Sequence, residues 1–375
     1  MERMITYQIQ AEDADVRVEQ FLRRRSYSRQ NLAELKSRNG STQINGKACR
    51  LNQRLLTGDM LQIRILENAS SERIPATALP ITILYEDEDI LVVDKPAGLP
   101  MHPSRDNYYY SLANAVMYHY KDCGGFVFRC TNRLDRDTSG LTVIAKHSVS
   151  ASILGAMTKR DDSDFRKCET FQSKTGSYMN FMEREYLAVV CGMSSPESGT
   201  VDAPISRKQP RKTDCFHFQQ TPETEAVCPL SERSIERCVD FEHGERAVTH
   251  YHVLEAKNGY SLVSILLETG RTHQIRVHMA YLGHPLAGDY LYHPKCRHAA
   301  VQANMELPAS LILGFQGTQK AVLVPGVRVP EDIHGISRQA LHACRLKFPH
   351  PITGEIMEFR SPLPEDMRRF YFSIS

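Results

Sequence analysis

Apolar positions recur along this chain with two different periods, and the change of period divides it. Val18, Phe21 and Leu22, then Leu32 and Leu35, fall at the three-and-four spacing of one helix face, which predicts two short amphipathic helices. Gly40, the Asn45-Gly46 pair and Gly58-Asp59 then punctuate short strands that end in Leu61–Ile65. Asn68 to Pro80 is polar, carries two prolines and has no period, so it reads as a linker. Beyond it the period becomes that of strands, at Ile81–Tyr85, Ile90–Asp94, Leu141–Ala145, Tyr186–Cys191, Val248–Leu254 and Tyr260–Leu267. Ala256-Lys257-Asn258-Gly259 joins the last two as a hairpin loop. Helices are expected to begin near Ser111 and Arg271. Successive strands lie close together without regular helical crossovers. The fold class is therefore α/β in the α+β sense, with a mixed, largely antiparallel sheet. Three pieces result: a small α/β module at 1–67, a linker at 68–80 and one large domain at 81–375. Within the last, Lys159–Glu183 and Arg207–Arg246 are polar and read as surface excursions.

Charge sharpens this division. The 375 residues carry a net charge of only +2, yet residues 16–66 hold eleven Lys and Arg against three acids, a local excess of +8. A solvated helix face would account for Arg23-Arg24-Arg25 alone, but confining the excess to one small module favours a footprint for phosphates. The ten cysteines are scattered, with no C-x-x-C pair or His/Cys cluster at metal-ligand spacing, which points to reduced thiols and no structural metal. Met1 to Gln10 lacks the pattern of a secretory leader, and no apolar run is long enough for a bilayer. A cytoplasmic protein with no membrane attachment is expected.

Candidate chemistry lies in three stretches. Asn132-Arg133-Leu134-Asp135-Arg136-Asp137-Thr138-Ser139-Gly140 precedes an apolar strand, the setting in which a reactive carboxylate is presented. Arg133 and Arg136 would favour the ionised form of Asp135, although a capped turn explains the same residue types. From Gly270, the run Arg271-Thr272-His273-Gln274-Ile275-Arg276-Val277-His278-Met279 would place Thr272, Ile275, Arg276 and Met279 on one helix face. An arginine among apolar neighbours needs an acidic partner, and Asp135 is the candidate. His273 and His278 stand five apart, unlike the four-residue spacing of a helical zinc pair, so core histidines are the expected reading. Tyr186 opens a strand, where sheet packing competes with a base-stacking role.

NRLDRDTSGL, REYLAVVCG and GRTHQIRVH, in that order, resemble the three core motifs of RluA-like RNA pseudouridine synthases. VVDKPAGLPMHPS, LGHPLAGDYLY and ALHACRLKFPHP support the resemblance, which spans about Ile81 to Pro364. The module at 1–67 separately resembles the S-four RNA-binding domain. The family commonly has His where Asn132 stands, Lys where Arg184 stands, and Asp in the S-four pattern where Glu19 stands. The resemblance implies Asp135 as catalytic carboxylate, Tyr186 under the flipped base and Arg276 paired with the aspartate. It further implies Arg133 entering the RNA stack, with Ile275, Arg136 and Arg271 lining the substrate site. It implies an RNA partner, large-subunit ribosomal RNA ahead of transfer RNA, no cofactor and no metal, in a monomer. The competing readings are an inactive RNA-binding or assembly protein of the same fold, and a metal-dependent hydrolase using His273, His278 and His284.

Overall fold

The computed structural model describes residues 2–67, 71, 73–104, 107–158, 181–192, 196–208, 236–293 and 335–373. Most of both polar excursions, and part of the linker, fall outside the described residues. The chain divides into two compact units, Met1–Glu183 with Arg345–Ser361, and Arg184–Cys344 with Pro362–Ser375.

The first unit opens with a four-stranded sheet of β1 (Glu2–Gln8), β2 (Thr42–Ile44), β3 (Lys47–Ala48) and β4 (Met60–Leu66), in the order β1-β4-β2-β3. Helices α1 (Val18–Arg24) and α2 (Arg29–Ser37) bury Val18, Phe21, Leu22, Leu32 and Leu35, as their spacing predicts. Ser28 starts α2 by accepting the Asn31 N–H at 3.1 Å, while Asn31 returns a bond to the Ser28 N–H at 2.9 Å. Strand β1 escaped the sequence analysis because its inward face carries Arg3, Ile5 and Tyr7, so a single aliphatic residue marks its alternation.

That strand changes the charge argument. Asp13 pairs with Arg25, Asp15 with Arg54 and Glu2 with Arg64, so acids upstream of residue 16 belong to the same module. Counted over 1–67 the balance is twelve basic against eight acidic residues, an excess of +4 and half the value for 16–66. Among the described residues, Arg29, Lys47 and Arg50 are exposed and make no ion pair.

In the same unit β5 (Thr82–Glu86), β6 (Ile90–Lys95) and β8 (Ser139–Ala145) pair antiparallel in that order, with β7 (Arg129–Cys130) on β8. All seven residues of β8 are buried. Helix α3 (Leu112–His119) is capped by Ser111, and α4 (Ser148–Met157) follows β8. β15 (Leu341–Pro349) and β16 (Ile356–Arg360) form a hairpin. The small sheet and this one share an apolar cluster that includes Ile5, Leu61, Ile65, Ile90, Val143, Leu154 and Phe348. Polar anchors reinforce it: Arg3 forks onto Asp89 at 2.8 and 3.0 Å, Arg129 meets Glu67 at 2.8 Å, and Glu67 accepts the Ser148 N–H at 2.7 Å.

The second unit contains β9 (Glu183–Cys191), β10 (Ser198–Asp202), β13 (Val248–Lys257) and β14 (Tyr260–Leu267), in the antiparallel order β10-β13-β14-β9. Asn258 and Gly259, both at positive φ, make the expected hairpin turn between β13 and β14. A short ribbon of β11 (Ile205–Arg207) and β12 (Arg237–Val239) closes the base of the second excursion. The C-terminal helix α6 (Glu365–Ser373) buries Met367, Phe370 and Tyr371 against Val189, Tyr260 and Ala340. The sheet-dominated α/β class is as expected, and the strand pairings within each unit are antiparallel.

The helix expected near Arg271 starts later. Helix α5 spans Gln274–Tyr281, and His273 before it is left-handed at φ 58. The Gln274 side chain causes the delay, accepting the Arg271 N–H at 2.9 Å and the Thr269 hydroxyl at 2.8 Å, which holds 271–273 as a turn. Thr272 therefore does not share a helix face with Ile275, Arg276 and Met279.

Candidate active site

In the first unit, residues 132–138 form a loop stapled to β8. Asn132 is buried, donates to the Leu141 carbonyl at 3.1 Å and accepts the Val143 N–H at 2.8 Å, while its own carbonyl takes the Thr142 hydroxyl at 3.0 Å. Buried Leu134 anchors the middle of the loop, and the Thr138 N–H bonds the Asp135 carbonyl at 3.2 Å. Asp135 is left half-buried between two exposed arginines. Arg136 is spent on Asp137, in a two-pronged pair with both contacts at 2.9 Å. Arg133 faces His102, whose pKa is pressed down by burial and then by the arginine's charge. Beneath the loop lies Lys95, which is fully buried. Its ammonium donates to the carbonyls of Pro96, Leu99 and Arg136 at 2.7, 2.9 and 2.9 Å. Lys95 thus ties the loop after β6 to the loop bearing Asp135.

In the second unit, Arg276 lies on α5 with 4% of its side chain exposed and grips Asp289, which is fully buried. The contacts are Nε to Oδ2 at 2.7 Å and Nη2 to Oδ1 at 2.9 Å. Asp289 also accepts the N–H groups of Leu291 and Tyr292 at 3.0 and 3.1 Å. Burial alone would raise the Asp289 pKa, but Arg276 and these donors hold it below the ordinary value. The segment carrying Asp289 runs along β9: the Cys191 N–H bonds the Pro285 carbonyl and the Ala287 N–H bonds the Val189 carbonyl, both at 2.9 Å. Gly288 permits this path. Its φ is +70, and a Cβ there would stand 2.1 Å from the Arg338 carbonyl oxygen.

Tyr186 is buried on β9, opposite Ile265, with Arg184 on the same strand face. Arg184 is also buried; its Nη2 reaches the Glu268 carbonyl at 3.3 Å and its Nε has no acceptor. Ile275 is buried beside Arg276. Arg271 is exposed and turned aside, bonding the Arg246 carbonyl and pairing with Glu245. His278 is a core residue: Thr249 and the Ala203 carbonyl occupy its two ring nitrogens at 2.9 and 2.8 Å, and burial keeps its pKa low. That arrangement leaves His278 no lone pair for a metal.

Within the second unit the acid that grips Arg276 is Asp289. Lys95, Asn132 and Asp289 carried no role in the sequence reading. The signals available for Asp289 were the need of a buried arginine for an acid and the LGHPLAGDYLY block in which it stands.

A model of the family described as RNA pseudouridylate synthase matches residues 89–281. The Bacillus subtilis (strain 168) protein named uncharacterized RNA pseudouridine synthase YjbO is 35% identical over 343 residues, covering 91% of this chain and 93% of its own length. The chain belongs to the RNA pseudouridylate synthase family. It is also similar to ribosomal large subunit pseudouridine synthase D of Haemophilus influenzae, at 35% identity over 84% of this chain and 76% of that one. The enzyme of the same name from Vibrio cholerae is 32% identical, over 88% and 81%. The span matched by the family model contains Asp135, Tyr186 and Arg276, whereas Asp289 lies just past its end. As an RNA pseudouridine synthase, the protein acts on RNA. Among the described residues, no helix is long and apolar enough to cross a membrane.

Proposed function

We propose that this synthase converts uridine to pseudouridine in large-subunit ribosomal RNA, with Asp135 as its catalytic carboxylate. The observation that carries the assignment is the Asp135 loop, held from below by the buried Lys95 and Asn132 while the carboxylate itself stays half-buried. The reaction breaks the bond between ribose and ring nitrogen and joins the ribose to a ring carbon, which then loses its proton. Asp135 would attack the uridine's ribose or take a proton from it. Tyr186 would stack under the flipped base, near the proton that leaves.

In this reading Arg276 is the arginine of the catalytic set. The fork onto Asp289 uses Nε and Nη2, and a guanidinium offers five N–H donors, so a second carboxylate is chemically compatible with the first. Asp289 then acts as the anchor that aims Arg276. Arg133 and Arg136 would contact RNA beside the target, Ile275 would wall the pocket, and Arg271 would take phosphate at the rim.

Ribosomal RNA is favoured by the names of the synthase D relatives. Residues 1–67 serve, in this reading, as the RNA-binding module, residues 68–80 as the linker and 81–375 as the catalytic domain of a cytoplasmic monomer. Mapping pseudouridine across total RNA from cells with and without the gene tests the substrate. Sites lost only from large-subunit ribosomal RNA would support the proposal; sites lost only from transfer RNA would overturn it.

A further inference from the structure

Three consecutive tyrosines stand out on the first unit. Tyr108, Tyr109 and Tyr110 expose 47%, 63% and 51% of their surface, in a chain that has no tryptophan. Isolated exposed aromatics are ordinary, but three in a row form a patch that water does not favour. Their backbone is fixed from beneath. Asn114, fully buried, donates to the carbonyls of Tyr108 and Pro75 at 3.1 and 2.7 Å and receives the Ser111 hydroxyl. The Leu112 and Ala113 N–H groups bond the carbonyls of Pro100 and Met101 at 2.7 and 3.1 Å. The rings of Tyr108 and Tyr109 meet edge to face at 5.0 Å, and the Tyr108 hydroxyl donates to the Arg73 carbonyl at 3.2 Å.

The patch lies in the same compact unit as the loop that carries Asp135. The tyrosines follow the segment that begins at Lys95, and the Lys95 ammonium bonds both Leu99 in that segment and Arg136 in the Asp135 loop. His102, between Lys95 and the tyrosines, lies near enough to Arg133 for the arginine to act on its titration. Arg73, whose carbonyl holds the Tyr108 hydroxyl, is itself exposed.

We propose that Tyr108, Tyr109 and Tyr110 form a stacking platform for unpaired bases of the substrate RNA next to the target uridine. Every base has a π face, so rings on a rigid backbone hold single-stranded RNA without reading its sequence. Bases inside a duplex already stack on one another and cannot use the platform. The proposal rests on RNA being the substrate, which the family establishes, and not on which residue performs the chemistry.

The test uses the full-length protein and two labelled RNAs, a hairpin with an unpaired uridine loop and a fully paired duplex of the same length. Replacing both Tyr109→Ala and Tyr110→Ala should weaken hairpin binding by about tenfold or more, given typical losses per stacked base. Duplex binding should not change. Tyr109→Phe with Tyr110→Phe should bind the hairpin as the parent does, because stacking needs the ring and not the hydroxyl. In turnover assays the alanine pair should raise KM and leave kcat intact. Unchanged hairpin affinity would overturn the proposal, even if a protein partner were lost. So would equal losses on hairpin and duplex, or an equal loss in the phenylalanine pair. Should the alanine pair melt at a lower temperature than the parent, Tyr109→Ala alone gives the same reading through the most exposed ring. Hairpin binding that falls as expected, from a protein that makes no pseudouridine, would sink the activity reading and leave the platform standing.

Discussion

Lys95 and Asp289 show what single residues contribute beneath the motifs. A buried ammonium satisfied by three carbonyls is tolerable, but removing it strands those carbonyls away from water. Lys95→Met should therefore cost about 3 kcal/mol of stability in denaturant titrations, with activity falling further than stability explains because Arg136 is released from its anchor. A loss below about 1 kcal/mol would show that the carbonyls find other partners. Asp289→Asn removes the charge from a pair that is 4% and 0% exposed and takes from the buried Arg276 cation the carboxylate that grips it. The expected cost is about 3–5 kcal/mol, read from melting and denaturant curves. A near-neutral substitution would mean that Arg276 does not depend on this anchor. Asp135, Tyr186 and Arg276 stand out as candidates in the sequence because each sits in a distinctive run of neighbours. Lys95 and Asp289 stand in the supporting blocks VVDKPAGLPMHPS and LGHPLAGDYLY, but their burial shows only once the backbone around them is known.

Among elements, those with a clear period were found where expected. α1 and α2 bury their three-and-four stripes, and β14 occupies its expected range, Tyr260–Leu267. Missed or misplaced elements have local causes: the inward face of β1 carries only one aliphatic residue, and α5 starts late because the Gln274 side chain secures the turn before it. The turn between β5 and β6 gathers Glu86, Asp87 and Asp89 against Lys146, His147, His350 and Arg3. Burial would raise the Glu86 pKa, but bonds from Lys146, Tyr120 and His119 bring it down to about 2. Asp87 and Asp89 are likewise lowered by their bonds against the pull of burial. Carboxylates with folded values below their unfolded ones stabilise the fold above the unfolded value and lose that contribution as pH falls through the folded one. Melting temperature should thus be nearly flat from pH 7 to about 5, then fall steeply between about 4.5 and 2. A protein that melted at the same temperature at pH 3 and pH 7 would contradict this.

At the scale of the whole molecule, the sequence suggested an N-terminal module with a strong positive excess joined by a linker. The excess halves over residues 1–67, because β1, the turn after it and Glu67 add five acids and one arginine. The module also shares an apolar cluster with β6, β8 and α4, so deleting it would expose core and confuse a binding test with misfolding. Neutralising exposed cations avoids that problem. Arg29→Gln, Lys47→Gln and Arg50→Gln together should weaken RNA binding and flatten its logarithmic salt slope by about two, if all three meet phosphate. An unchanged slope would move the phosphate contacts elsewhere on the protein.

The role proposed for Asp135, the catalytic carboxylate of a pseudouridine synthase, is open to a direct test. Asparagine has nearly the same shape but cannot serve as a carboxylate nucleophile or base. The direct measurement compares the parent and Asp135→Asn proteins on large-subunit ribosomal RNA from cells lacking the gene, counting pseudouridine formed per enzyme. The parent should turn over repeatedly, and the variant, with unchanged melting temperature and RNA affinity, should form essentially none. Repeated turnover by a well-folded Asp135→Asn protein would contradict the claim.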